Sequence, residues 1–215
     1  MTAELAALAA RGDSGAFEAL MRRHNRMLFR TARAILRDDA EAEDTLQEAY
    51  IQAYRSLASF RGEAQVSTWL ARIVANEALQ RLRKQTRRAD IVPLLQPADG
   101  TQLEQVMDSD IDKAPEMTAA RHQMRRLLES QIDALPEAYR TVFMLRAVEE
   151  LSVEETAAVL DIPAATVRTR LFRARSMLRE ALAQKIDVAC EDAFSFAGER
   201  CDRVVAAVLA RLSRS

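Results

Sequence analysis

Glycine and proline are scarce in this chain, five of each in 215 residues, and aromatic residues make up only 5%. Strands need more turn punctuation than that, so the shortage argues for helices throughout. Cysteine is rarer still: Cys190 and Cys201 are the whole supply, too few for a disulfide scaffold and expected as thiols in a reducing compartment. With only His24 and His122 beside them, they fall well short of a zinc pattern, and no cofactor is expected. No apolar run reaches the roughly 18 residues that a membrane span needs. The opening MTAELAALAARGD lacks the basic and apolar regions of an export signal. Direct membrane insertion is therefore not expected, and a cytoplasmic location is. An excess of either charge is missing too. The formal net charge of −1 argues against a protein that coats DNA indiscriminately, because such binding draws its affinity from neutralising many phosphates.

What is present is 49% hydrophobic and 29% charged residues, enough apolar material for helical cores on both sides of a divide. The charges are segregated. From Arg72 to Arg88, Arg72, Arg81, Arg83, Lys84, Arg87 and Arg88 face Glu77 alone, and from Val167 to Arg179 five arginines occur without an acid. Between these stretches Asp90, Asp99, Glu104, Asp108, Asp110, Asp112 and Glu116 are opposed by Lys113. Two basic surfaces flank an acidic tether.

Apolar spacing predicts helices at about 14–36, 40–57 and 65–87, whose buried stripes run through Leu20 and Leu28, Leu46 and Ala53, and Leu70 and Val74. Three such faces close one small core. The helical period is lost from 89 to about 115, where Pro93, Pro97, Pro115 and the pair Asp99-Gly100 mark a solvated linker. Helices resume at about 117–133 and 136–148, with Pro136 suited to a first turn, then at 153–160 and 164–183. A last amphipathic segment carries Cys201, Val204, Val205, Val208 and Leu212. The organisation expected is a segment 1–12, a domain 13–88, a linker 89–116, a second domain 117–184 and an extension 185–215.

Residues 151–180, LSVEETAAVLDIPAATVRTRLFRARSMLRE, carry the strongest local signal. Ser152 and Glu155 form a capping-box pattern, and Asp161-Ile162-Pro163 breaks one helix before another starts, which is helix-turn-helix layout. On the second helix Val167, Leu171, Ala174 and Leu178 form a buried stripe, leaving Arg168, Thr169, Phe172, Arg173 and Arg175 outward. Arginine forks there can read guanine edges or hold phosphates, while Thr169 and Phe172 can meet base edges and thymine methyls.

On the helix at 65–87, Trp69, Arg72, Asn76, Gln80, Arg83 and Arg87 recur at steps of three and four and share one polar edge. An aromatic ring, amides and a line of cations suit unpaired bases and the backbone of single-stranded DNA. The plainer alternative is a core tryptophan beside a solvated charged face. In RDDAEAEDTLQEAY, residues 37–50, acids crowd a helix start beyond what a cap requires. Asp44, Gln47 and Glu48, on the side away from Leu46 and Ala49, fit a docking face for a basic protein surface.

Taken together, DDAEAEDTLQEAYIQAYRSLASFRGEAQVSTWLARIVANEALQRLRK and LPEAYRTVFMLRAVEELSVEETAAVLDIPAATVRTRLFRARSMLRE resemble the sigma-70 family, and within it the extracytoplasmic-function (ECF, group 4) sigma factors. The resemblance covers about Asp13 to Leu182. It implies an all-α pair of small domains, sigma regions 2 and 4, joined by the acidic linker. By the same resemblance, Asp44, Gln47 and Glu48 dock on core RNA polymerase, at its beta and beta-prime subunits. Phe60, Arg61, Trp69, Arg72, Asn76, Gln80, Arg83 and Arg87 meet the minus-10 element, and Arg168, Thr169, Phe172, Arg173 and Arg175 read the minus-35 element of promoter DNA. It also admits an anti-sigma factor as a partner. The tail after Gln184 is not fixed by this resemblance. Its apolar stripe can pack on the chain's own second domain or receive a regulator, and Cys190 and Cys201 can be plain thiols or a redox pair.

Two rivals come from other classes. A self-sufficient helix-turn-helix regulator leaves the Asp44-Gln47-Glu48 and Trp69-Asn76 faces unexplained. An enzyme acting on nucleic acid lacks a metal-ligand cluster, a phosphate-cradling glycine loop or a nucleophile–base pair, so no enzymatic activity is expected.

Overall fold

The computed structural model describes residues 2–60, 62, 64–91, 115–191 and 199–212; Arg61 and most of the acidic linker lie outside them. Every regular element among the described residues is helical, as expected. In chain order they are α1 (Thr2–Ala9), α2 (Ser14–Leu36), α3 (Asp39–Ser56), α4 (Val66–Ile91), α5 (Pro115–Ala134), α6 (Glu137–Phe143), α7 (Val153–Leu160), α8 (Ala164–Glu191) and α9 (Glu199–Leu212). The described chain falls into two compact units, 1–177 and 178–215.

Local chemistry sets the ends of the helices. Asp13 starts α2 by accepting from the Ala16 N–H at 2.9 Å, and Arg37, left-handed at φ 62°, ends it with its N–H on the Arg33 carbonyl. Asp38 caps α3 in the same way, accepting from the Glu41 N–H at 2.8 Å. The three expected stripes then meet. Leu20, Leu28, Ala32 and Ile35 of α2, Ala42, Ala49 and Ala53 of α3, and Leu70, Ala71, Val74 and Ala78 of α4 are buried. The many alanines allow close helix approach, and each buried leucine contributes about 1.5–3 kcal/mol. Tyr50 of α3 adds a polar tie to α2, its hydroxyl 2.7 Å from Asn25 Oδ1 and 3.1 Å from the Met21 carbonyl.

The core does not stop at α4. Leu145 of the turn after α6, Leu151 of the loop before α7 and Val159 of α7 belong to the same buried cluster. A polar seam joins these parts. Arg140 of α6 is 2% exposed, and its guanidinium donates to the carbonyls of Ala34 and Ile35 in the last turn of α2, and of Asp133 and Leu135. A cation at the carbonyl end of a helix is favourably placed in the helix field. Arg33 makes a two-pronged pair with Asp133 at 2.9 and 3.1 Å, Arg30 pairs with Glu149 at 3.0 Å, and the Thr68 hydroxyl of α4 donates to Glu155 of α7 at 3.2 Å.

Helix α6 runs into a π turn, Met144–Val148, where the Glu149 N–H reaches back to the Met144 carbonyl. Pro136 stands one place earlier than expected, at the cap. Helices α4 and α8 run past their expected ends, to Ile91 and Glu191, and α1 was not anticipated. In the second unit, Val204, Val205, Val208 and Leu209 of α9 are all at least half exposed. The side chains of Cys190 and Cys201 lie outside the described residues.

Candidate nucleic-acid interface

Three faces carry the expected site residues that the structure describes. On α3, burial of Ala42, Thr45 and Ala49 turns Asp44, Gln47 and Glu48 outward. Arg81 of α4 braces the edge of this face, 2.8 Å from Glu41 and 3.8 Å from Asp44. The face still presents acid: the Asp44 side chain is 65% exposed.

On α4, the inward residues Leu70, Val74 and Ala78 leave Arg72, Asn76, Gln80, Arg83 and Arg87 exposed, the polar edge the spacing predicted. Trp69 is half-buried. It packs on the hydrophobic core and lies against Phe60, ring centroids 5.0 Å apart. The tryptophan is thus part core and part surface, an aromatic step at the head of the cationic line. Arg61, expected beside it, is outside the described residues.

The third face is on α8. Ser152 begins α7 with a complete capping box: its hydroxyl accepts from the Glu155 N–H at 3.0 Å, while its own N–H donates to the Glu155 carboxylate at 2.8 Å. The bond from the Ser152 backbone N–H to the Glu155 carboxylate, outweighing burial, holds the Glu155 pKa below its ordinary value. Asp161 ends α7 in the left-handed region at φ 52°, a conformation Asp tolerates better than most residues, and Pro163 precedes α8. Val167 and Ala174 are fully buried, so Arg168, Thr169, Phe172, Arg173 and Arg175 face outward. Phe172 is 75% exposed. The Thr169 hydroxyl donates to the Ala165 carbonyl at 3.0 Å, which leaves a methyl and a lone pair to offer a base. Arg168 lies 3.6 Å from Glu154 and Arg173 3.3 Å from the Tyr139 hydroxyl.

Comparison with known proteins decides what such a trio belongs to. The family model for sigma-70 region 2 matches residues 20–88, and that for sigma-70 region 4 matches residues 125–178. An ECF RNA polymerase sigma-E factor of Haemophilus influenzae is 38% identical over 173 residues, 78% of this chain and 87% of that one. The chain belongs to the sigma-70 family of RNA polymerase sigma factors, among the ECF type. The ECF sigma factor SigW of Bacillus subtilis is 32% identical over 80% of this chain and 91% of its own. Among solved structures, CnrH in complex with the cytosolic domain of CnrY is similar at 27% identity and a TM-score of 0.58, covering 84% of this chain and 96% of that one. The sigma factor RpoE of Bartonella quintana, solved with the anti-sigma factor NepR, shares the fold at 22% identity and a TM-score of 0.58, over 78% of this chain and 96% of its own.

The structure of this sigma factor adds residues that sequence reasoning missed. Ile51, 46% exposed, continues the Gln47-Glu48 face by one turn of α3, four residues after Gln47. Tyr139 joins the arginines of α8 from 34 residues upstream, a contact with no local signal. Among the described residues no three His, Cys, Asp or Glu side chains are placed to hold a metal ion, and no helix is long and apolar enough to cross a membrane.

Proposed function

We propose that this sigma factor binds core RNA polymerase through Asp44, Gln47 and Glu48 of α3. It then meets the minus-10 element with the edge from Phe60 and Arg61 through Trp69, Arg72, Asn76, Gln80, Arg83 and Arg87, and reads the minus-35 element with Arg168, Thr169, Phe172, Arg173 and Arg175. In this reading residues 13–88 form the polymerase-binding and strand-opening part, 117–184 the minus-35 reader, 89–116 the linker and 185–215 an extension. The protein acts in the cytoplasm and has no catalytic activity of its own.

The observation that supports this most is that one near-neutral chain displays two separate cationic helix faces, on α4 and α8, together with an acidic face on α3. Each cationic face is too small to hold duplex DNA firmly at physiological salt. Fixed at a set separation on a larger assembly, the two act as a bivalent ligand whose second contact is intramolecular.

Reconstitution with core polymerase, followed by sequencing of the transcripts started on genomic DNA, tests the proposal. Start sites sharing two spaced elements are expected. The free chain should leave promoter duplex unshifted at nanomolar concentration, whereas a self-sufficient regulator would bind palindromic DNA without polymerase.

A further inference from the structure

The face of α8 is not made by α8 alone. A cleft of about 310 Å3 opens on it, lined by Ala165, Thr166, Thr169, Arg170 and Arg173 from the recognition helix and by Tyr139 from α6. Across it, Arg173 donates through Nη1 to the Tyr139 hydroxyl at 3.3 Å. We infer that Tyr139 is a positioning residue for minus-35 recognition, holding the guanidinium of Arg173 in the orientation that reads a base; this rests on the reading of α8 given above.

Arg173 is exposed, and a free arginine side chain samples many rotamers, so docking its fork on a base edge costs conformational entropy. A hydrogen bond to a fixed acceptor reduces that cost. Tyr139 is such an acceptor. It is half-buried, and the next residue, Arg140, is fixed by donating to four backbone carbonyls, so the backbone carrying the phenol has little freedom to move. The bond occupies one of the five guanidinium N–H groups of Arg173, and the other four remain for a two-pronged contact with a guanine edge. A phenol also suits the edge of a DNA interface, because its hydroxyl can accept from Arg173 while donating to a phosphate oxygen.

The test uses the full-length chain in holoenzyme with core polymerase. Its probe is a promoter library with every minus-35 base pair substituted in turn and the minus-10 element held constant. The readout is the preference ratio at each position, not total transcription. Arg173→Ala should flatten the preference at one or two positions by about tenfold, the size of a lost bidentate base contact. Tyr139→Phe keeps the ring and removes the hydroxyl, and it should reduce the preference at those same positions by about threefold, the size of one net hydrogen bond. In the Arg173→Ala background, Tyr139→Phe should change the ratios no further. Thermal unfolding of each variant monitors the fold. An unchanged preference in Tyr139→Phe, an equal loss at every position, or the same loss with and without Arg173 overturns the inference while leaving the reading of α8 standing. A flat response to Arg173→Ala itself overturns both.

Discussion

In the seam between α2 and α6, the Arg140 guanidinium is 2% exposed and donates to four backbone carbonyls, whereas Arg173 on the outer face of α8 is exposed and donates to one phenol. Arg30 and Arg33 resemble the first, each paired with an acid across the seam. Arg72, Arg83 and Arg87 resemble the second, lined along an exposed edge. The same side chain therefore has two uses in one molecule. Where its donors are filled by the protein itself it acts as a structural fastener, and burial, with Arg37 nearby, even pulls the Arg140 pKa down from the ordinary arginine value. Where they remain turned to solvent they are available to phosphates and base edges. A near-neutral net charge hides this division, because part of the positive charge is already neutralised inside the fold.

Removing one arginine from each region separates the two uses. Arg140→Ala should give the largest effect on stability, about 3 kcal/mol, because the carbonyls of Ala34, Ile35, Asp133 and Leu135 lose a shared charged donor in a place water reaches poorly. Lysine should restore little of this, since an ammonium cannot present the planar fork. Chemical denaturation measures it. Arg173→Ala should leave the unfolding midpoint unchanged and weaken initiation at minus-35-dependent promoters by about 1–3 kcal/mol. If Arg140→Ala unfolds like the parent chain, or Arg173→Ala lowers the midpoint, the contrast between fastener and reader does not hold.

The exposed side of this contrast was legible in the sequence and the fastening side was not. Steps of three and four from Trp69 to Arg87 and from Val167 to Leu178 place a residue on a helix face without further information, so the exposed edges of α4 and α8 could be read in advance. Ser152 and Glu155 marked a cap for the same reason, since both partners lie within one turn. Arg140 gives no such signal. Its partners on α2 lie 105 and 106 residues away, and a lone arginine in LPEAYRTVF reads as one more solvated charge. Thr68 to Glu155, 87 residues apart, is equally silent, and so is the joining of Leu145, Leu151 and Val159 to the α2–α4 core. Local periodicity determines faces; the pairing of faces depends on tertiary packing.

Trp69 stands between the two categories, since it packs on the core and against Phe60 yet heads the cationic edge. Trp69→Ala should keep polymerase binding and impair strand opening, by about 1–3 kcal/mol if a base stacks on the ring. Permanganate footprinting of unpaired thymines at a promoter, beside a polymerase pull-down, reads the two activities separately. Loss of both in equal measure would move Trp69 wholly to the structural side.

The smallest effect concerns Glu155, which closes the capping box of α7 and accepts from Thr68 across the seam. Its pKa is held below the ordinary glutamate value of 4.5, chiefly by the Ser152 backbone N–H, with burial opposing. A carboxylate whose folded pKa is depressed stabilises the folded state fully above its unfolded pKa, and that contribution disappears as the pH falls through the folded value. Ser152→Ala, which removes the other half of the box, should cost about 1 kcal/mol at neutral pH. Glu155→Ala should lower the melting temperature most at pH 6–8, and its difference from the parent chain should narrow once the pH drops below 4.5. Melting curves collected down to about pH 3 cover the window. A difference that stays constant across that range would mean that the glutamate acts through packing, and that its charge contributes nothing to the start of α7.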